Sequence, residues 1–203
     1  MNYLEYILEV SEQWYLHFAL SKKQKILIVF IFYILKVVLF IMIVIVCGFP
    51  GVGKTTFAKK LAPLINSTIL STDKIRKDLI TSPTYKKKER KLIYDIMILL
   101  AKYLHSSGTN CILDATFNRE DSRIEVKKKL GVQDNQFFVI ECTCPENIII
   151  NRLKNRKNDY SDADIEIYQK MKKIYEPIKG KHITIDTSLD PEKNAKLVSS
   201  KIL

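Results

Sequence analysis

No C-x-x-C pair occurs in this 203-residue sequence, and its three histidines, His17, His105 and His182, are scattered without ligand spacing. That excludes the common structural zinc modules. Cys142-Thr-Cys144 has neither a second cysteine pair nor a suitably spaced histidine beside it, so no metal is expected there. All four cysteines (Cys47, Cys111, Cys142 and Cys144) lie at or beside apolar runs. They read as reduced, buried thiols of a cytoplasmic protein. Internal repeats and low-complexity segments are also missing, which excludes solenoid and array architectures. Acidic residues are in deficit, 22 Asp+Glu against 33 Lys+Arg, for a formal net charge of +11. A basic balance fits an anionic partner, either nucleotide or nucleic acid, although many of the lysines fall on plain helix faces. The length suits one α/β domain with an N-terminal extension.

What is present centres on Gly48-Phe-Pro-Gly-Val-Gly-Lys-Thr55. This has the form G-x-x-x-x-G-K-[ST] of a phosphate-binding loop. The preceding Leu39 to Val46 is wholly apolar, as in a buried strand of a parallel sheet. After it, Phe57, Leu61 and Ala62 share one helical face with Lys59 and Lys60 off it. Glycines let successive N–H groups turn inward on phosphate oxygens, and a helix N-terminus adds partial positive charge. Gly48, Gly51, Val52, Gly53, Lys54, Thr55 and Thr56 are therefore expected to cradle ATP. Lys54 would reach the β- and γ-phosphates, and the Thr55 hydroxyl would ligate Mg²⁺.

Strands are predicted over 68–72, 110–114, 136–143 and 182–186. Helices are predicted over 54–65, 74–80, 89–107, 146–157, 162–175 and 191–202, with another from about 119 to 131. The pattern argues a mostly parallel sheet between helical layers. Ligands bind at the C-terminal strand ends of such sheets. The loop, Asp73, Asp114 and the segment after Thr187 then share one edge. Asp73, expected as a helix N-cap, can also accept the proton of an attacking hydroxyl. Arg76, one turn on, could hold a phosphate or the acceptor. Asp114 ends an apolar strand and suits Mg²⁺ support. Arg152 and Arg156, four residues apart, would share a helix face and neutralise transition-state charge.

Residues 1–41 form a hydrophobic N-terminal helical extension in this reading, and 42–203 a kinase domain. Ile26 to Val46 is apolar except for Lys36. A charge in mid-membrane costs about 2.5–3.5 kcal/mol on insertion scales. The end of the run is needed for the first strand, which leaves about 15 residues, short for a span. No small-residue cleavage site follows, as a signal peptide would require. A start-site artefact, a membrane-anchoring hairpin and an added packing or dimerisation helix all remain open for this segment. So do monomeric and dimeric states.

Gly48–Thr55, Ser71-Thr-Asp-Lys-Ile-Arg76, Leu113-Asp-Ala-Thr-Phe-Asn-Arg119 and Arg152-Leu-Lys-Asn-Arg156 occur in this order, with Asp162-Ala-Asp-Ile-Glu-Ile-Tyr168 and Glu176-Pro177 after them. Together they resemble the P-loop "predicted kinase" family, which also carries the AAA-family ATPase label. That family is related to polynucleotide kinase, zeta toxins, chloramphenicol phosphotransferase and archaeal seryl-tRNA kinase. The resemblance covers about 42–203. It implies a three-layer α/β/α P-loop fold of nucleoside-kinase type and phosphoryl transfer from Mg-ATP. The acceptor hydroxyl would belong to RNA, a nucleotide, a tRNA-linked serine or a small metabolite. By the same resemblance Asp73 matches the general base, Arg76 the arginine near the reacting phosphate, and Arg152 and Arg156 the lid arginines. Asn118 and Arg119 are expected as acceptor contacts, with Asp114-Ala-Thr-Phe-Asn118 standing where polynucleotide kinase has the shorter Asp-Thr-Asn. No phosphatase-like domain follows, and no oligomer-facing arginine pattern of a motor is present. A membrane-associated nucleotide-binding ATPase or toxin-like protein is the alternative reading.

Overall fold

A computed structural model describes residues 21, 23, 24, 27, 41–156 and 161–203. The chain divides after Phe40, and the architecture below belongs to the unit Ile41–Leu203. The expected helical extension and the linker expected at 158–161 lie almost wholly outside the described residues. Among the described residues, no helix is long and apolar enough to cross a membrane.

Five parallel strands form one sheet in the order β2-β3-β1-β4-β5. They are β1 (Ile43–Cys47), β2 (Ser67–Ser71), β3 (Asn110–Asp114), β4 (Phe137–Thr143) and β5 (Ile183–Asp186). The central strand β1 is fully buried, as its unbroken apolar sequence requires. Its alternate residues Ile43, Ile45 and Cys47 join one core with Ile93, Met97, Ala101, Leu113 and Val126, so the intervening Val44 and Val46 face the other layer.

The helices are α1 (Lys54–Leu64), α2 (Thr72–Leu79), α3 (Lys87–Ser106), α4 (Glu120–Leu130), α5 (Glu146–Lys154), α6 (Ile165–Ile174) and α7 (Pro191–Ile202). The buried face of α1 is Phe57, Ala58, Leu61 and Ala62, as its spacing predicts, and it packs on α7. Asp190 caps α7 by accepting from the Glu192 and Lys193 N–H groups, and Pro191 sits in the first turn.

Several boundaries differ from the sequence reading. Thr72 already opens α2 with Ser71 as N-cap, so Asp73 lies inside the first turn. On α3, Ile93, Met97, Ile98 and Ala101 are buried, whereas Leu92 and Leu100 are exposed. The helical period was right, but its apolar stripe is wider than the face the sheet covers. α5 ends at Lys154, so Arg156 stands beyond the helix. α6 starts at Ile165, where the Asp164 side chain accepts from the Ile167 N–H. That Asx-type cap outcompetes a start at Asp162.

Candidate active site

Parallel register levels the strand tips. Asp114 lies opposite Val46 of β1 and Ser71 of β2, and Thr143 lies opposite Asp186. The loops leaving these tips enclose one cavity of about 980 Å³. Lys54, Thr55, Thr56, Asp73, Arg76, Asp114, Arg152 and Arg156 all contribute to its wall.

The loop after β1 takes its shape from Gly48, Gly51 and Gly53, at φ +133°, +77° and +104°. A Cβ on Gly48 would stand 2.5 Å from the Cys142 carbonyl oxygen of β4, so the loop lies directly against the neighbouring strand. Val52 is fully buried. Phe49 packs edge-on against Tyr168 of α6 (ring centroids 5.6 Å apart) and against Tyr175 just past α6 (4.7 Å). Burial first, with the nearby Cys47 and Glu141 next, pushes the Tyr175 phenol far above its ordinary value. It therefore stays a donor, to Glu141 at 3.0 Å. The loop thus has a hydrophobic outer buttress and a polar inner rim.

On that rim the Lys54 ammonium donates to the Gly48 and Phe49 carbonyl oxygens at 3.0 and 2.8 Å. These are weak partners for a full charge, and phosphate oxygens would compete well for it. The Thr55 hydroxyl donates to Asp114 Oδ2 at 2.6 Å, and Asp114 is only 3% exposed. A buried carboxylate beside a hydroxyl at a loop–helix junction is a hard-oxygen donor set that fits Mg²⁺.

Across the cavity, Asp73 accepts from Arg76 Nη1 at 3.0 Å. Arg76 is 5% exposed and also donates through Nε to Glu89 at 3.1 Å. The Tyr85 ring lies over its guanidinium, 4.7 Å from Cζ to the ring centroid. Arg76 is therefore neutralised from two sides and covered on a third. Its guanidinium thereby fixes the position of the Asp73 carboxylate beside the cavity. Glu89 further accepts from the Thr84 N–H and hydroxyl and from the Tyr85 N–H. The Thr84 hydrogen bonds are the main force holding its carboxyl below the ordinary range. Tyr85, in the left-handed region at φ +56°, donates to Asp162 from across the cavity. Burial first, and Asp162 second, push this phenol up to about 12. Lys77 pairs with the same carboxylate at 3.1 Å.

The two arginines expected to lie over the phosphates have separate settings. Arg152 clamps the loop: Nη1 donates to Val52 O at 2.9 Å, and Nη2 donates to Thr187 O at 2.7 Å. Arg156 Nη1 lies 3.4 Å from the carbonyl oxygens of Ser161 and Ala163. Asn118 and Arg119 are not brought to the cavity wall. The Asn118 carbonyl accepts from Glu176 N at 2.8 Å, and Arg119 is an exposed residue 3.7 Å from the Glu176 carboxylate. The longer segment between Asp114 and Asn118 carries the chain past the site: Phe117 turns into the core at φ +42°, fully buried against Tyr94.

Tyr85, Glu89, Arg90 and Tyr94 were missed by the sequence reading. Arg90 and Tyr94, four apart at the start of α3, share a helix face, which is a usable signal. Nothing local marks Glu89, whose partners are a turn residue and a buried arginine on another helix. Arg123 was missed as well. It is 3% exposed and ties α4 to the Phe117, Glu176 and Pro177 carbonyls. Among the described residues no group of His, Cys, Asp and Glu forms a multi-ligand metal cluster.

The family model for an AAA domain matches residues 43–178. An uncharacterized protein of Mycobacterium tuberculosis is 26% identical over 135 residues, 61% of this chain and 27% of the relative. The chain thus spans only about a quarter of that relative's length. An adenylate kinase of Wolbachia pipientis wMel is 29% identical over 209 residues, covering 79% of this chain and 98% of the relative. Among solved structures, the Mycobacterium tuberculosis APS kinase CysC in complex with AMPPNP and APS superposes with TM-score 0.63. Identity to it is 18%, with 79% of this chain and 96% of that chain covered. The loop, the sheet order and the family match agree, and the chain belongs to the AAA domain family, on the three-layer fold of the P-loop kinases.

Proposed function

We propose that this chain transfers the γ-phosphate of ATP to an acceptor hydroxyl. One observation carries the reading: a single cavity has the phosphate loop and the Thr55–Asp114 pair on one wall and the arginine-oriented Asp73 on another. A plain nucleotide-binding switch has no need for an oriented carboxylate in that position. The adenylate kinase likeness and the APS kinase fold support the class of reaction and leave the acceptor open.

ATP lies with its phosphates along Gly51–Thr56, held by the loop N–H groups and by Lys54 once it leaves the Gly48 and Phe49 carbonyls. Thr55 and Asp114 would hold Mg²⁺, which neutralises charge on the β- and γ-phosphates when bound. Asp73 accepts the proton of the acceptor hydroxyl. The acceptor oxygen bonds to the γ-phosphorus as the bond from that phosphorus to the β–γ bridging oxygen breaks. ADP departs with that electron pair. Arg76 keeps the Asp73 carboxylate aimed, and Arg156 stabilises the transferring group. Arg152 acts mainly as a clamp, fixing the loop against the turn after β5. The acceptor is an RNA or nucleotide hydroxyl, a tRNA-linked serine or a small metabolite. A screen of these with radiolabelled ATP and the full chain tests the reading. Labelled acceptor supports it, and release of free phosphate with every acceptor left unlabelled rejects it.

A further inference from the structure

Four arginines line the cavity: Arg76, Arg90, Arg152 and Arg156. Three are committed to the protein. Arg76 is shared by Asp73 and Glu89 under the Tyr85 ring. Arg152 serves Val52 and Thr187, and Arg156 has the Ser161 and Ala163 carbonyls within reach. Arg90 differs. It is exposed, and its backbone N–H is used in the first turn of α3, but its guanidinium has no hydrogen-bond or ion-pair partner among the described residues. The acidic groups on that side are already taken. Glu89 holds Arg76, Thr84 and Tyr85, Asp162 holds Tyr85 and Lys77, and Asp73 holds Arg76.

The charge of this wall is therefore not balanced from within. Lys86, Lys87 and Lys88 precede Arg90 in the same turn, exposed and outside every ion pair among the described residues. They stand beside Arg90 at the exposed start of α3. A guanidinium with free donors suits an oxyanion, most of all the tetrahedral oxygens of a phosphate. Arg90 stands on the α2–α3 side of the cavity with Asp73, next in sequence to the Glu89 that pairs with Arg76.

We infer that Arg90 is a specificity-determining residue that binds a phosphate group carried by the acceptor itself, and that the acceptor is a phosphate-bearing hydroxyl compound. The inference rests on the kinase reading and gives Arg90 the anion-binding role that the sequence first suggested for Arg76. A free phosphorylated metabolite and the first phosphodiester of an oligoribonucleotide offer Arg90 the same chemistry. The neighbouring lysines would add affinity only for the longer chain.

Calorimetry on the full chain saturated with Mg-AMPPNP tests this without any turnover, so its outcome is independent of whether transfer occurs. The titrants are 3′-AMP, glucose 6-phosphate and a 5′-hydroxyl oligoribonucleotide, with adenosine and glucose as unphosphorylated partners. Binding of at least one phosphorylated titrant is expected, with its partner at least about tenfold weaker. Arg90→Ala should weaken the phosphorylated titrant by about tenfold or more, Arg90→Lys by less, and AMPPNP affinity should stay unchanged in both. A free metabolite as best titrant, or an oligoribonucleotide with steep salt dependence, identifies the source of the phosphate. Equal binding of phosphorylated and unphosphorylated forms, no binding of any titrant, or an Arg90→Ala protein with wild-type affinity overturns the inference.

Discussion

Asp73 is useful to the proposed reaction because Arg76 is not free. A carboxylate on an exposed first helical turn would sample several rotamers. Here its partner is buried and held by a second carboxylate, Glu89, which is itself fixed by Thr84 and Tyr85. Glu89→Gln keeps the shape and removes the charge. Because the folded state holds Glu89 below its ordinary 4.5, the folded protein binds this proton less readily than the unfolded chain. The stability it contributes is full above about pH 4.5 and fades as the pH falls further. Glu89→Gln should therefore melt below the wild type at pH 7, and the gap in melting temperature should close as the pH is taken below 4.5. A gap that persists in acid would mean that the charge is not what matters. Gly48 is a second residue-scale case. Its φ of +133° and the Cys142 oxygen 2.5 Å from a built Cβ leave no room for a side chain. Gly48→Ala should cost about 2–4 kcal/mol in denaturant unfolding and abolish AMPPNP binding; a fully stable variant would contradict the loop's close approach to β4.

At the scale of elements, the phosphate loop packs on α6 and the residue that follows it, besides joining β1 to α1. Phe49 seats between Tyr168 and Tyr175, so two rings beyond the cavity set the outer edge of the loop. Phe49→Ala should cost about 2 kcal/mol and weaken nucleotide binding, read by unfolding and by AMPPNP titration. Loss of stability with unchanged nucleotide affinity would show that α6 does not position the loop. This coupling was not visible in the sequence, whereas β1, the loop and α1 were. The difference is physical. An unbroken apolar strand, a glycine-rich turn and a helical period are local patterns, and so is a carboxylate at the end of an apolar run such as Asp114. Phe49 on Tyr175, Glu89 on Arg76 and Arg123 on the Pro177 carbonyl join residues that only the fold brings together. Arg156 shows the reverse error. Its spacing from Arg152 was read as a shared helix face, but α5 ends at Lys154.

For the whole molecule, the parallel register levels the strand tips, so that residues far apart in sequence meet at one edge. The same burial governs its thiols. Desolvation above all pushes Cys47 up to about 12 and Cys111 up to about 11, and Cys142 is raised in the same way. Cys144 is only half-buried. A maleimide at pH 7 should therefore label Cys144 first in the native chain and the other three only on unfolding. Early modification of Cys47 or Cys142 would mean that the sheet edge behind the loop opens readily.

The central claim is that the phosphate loop and Asp73 form one catalytic site for phosphoryl transfer. Its most direct test is the rate of label transfer from radiolabelled ATP to the best acceptor, wild type against Asp73→Asn, with AMPPNP affinity measured on both. The account predicts that transfer falls by about 10²–10⁴-fold while AMPPNP affinity stays within a factor of about two. An Asp73→Asn protein that transfers phosphate at the wild-type rate would contradict it.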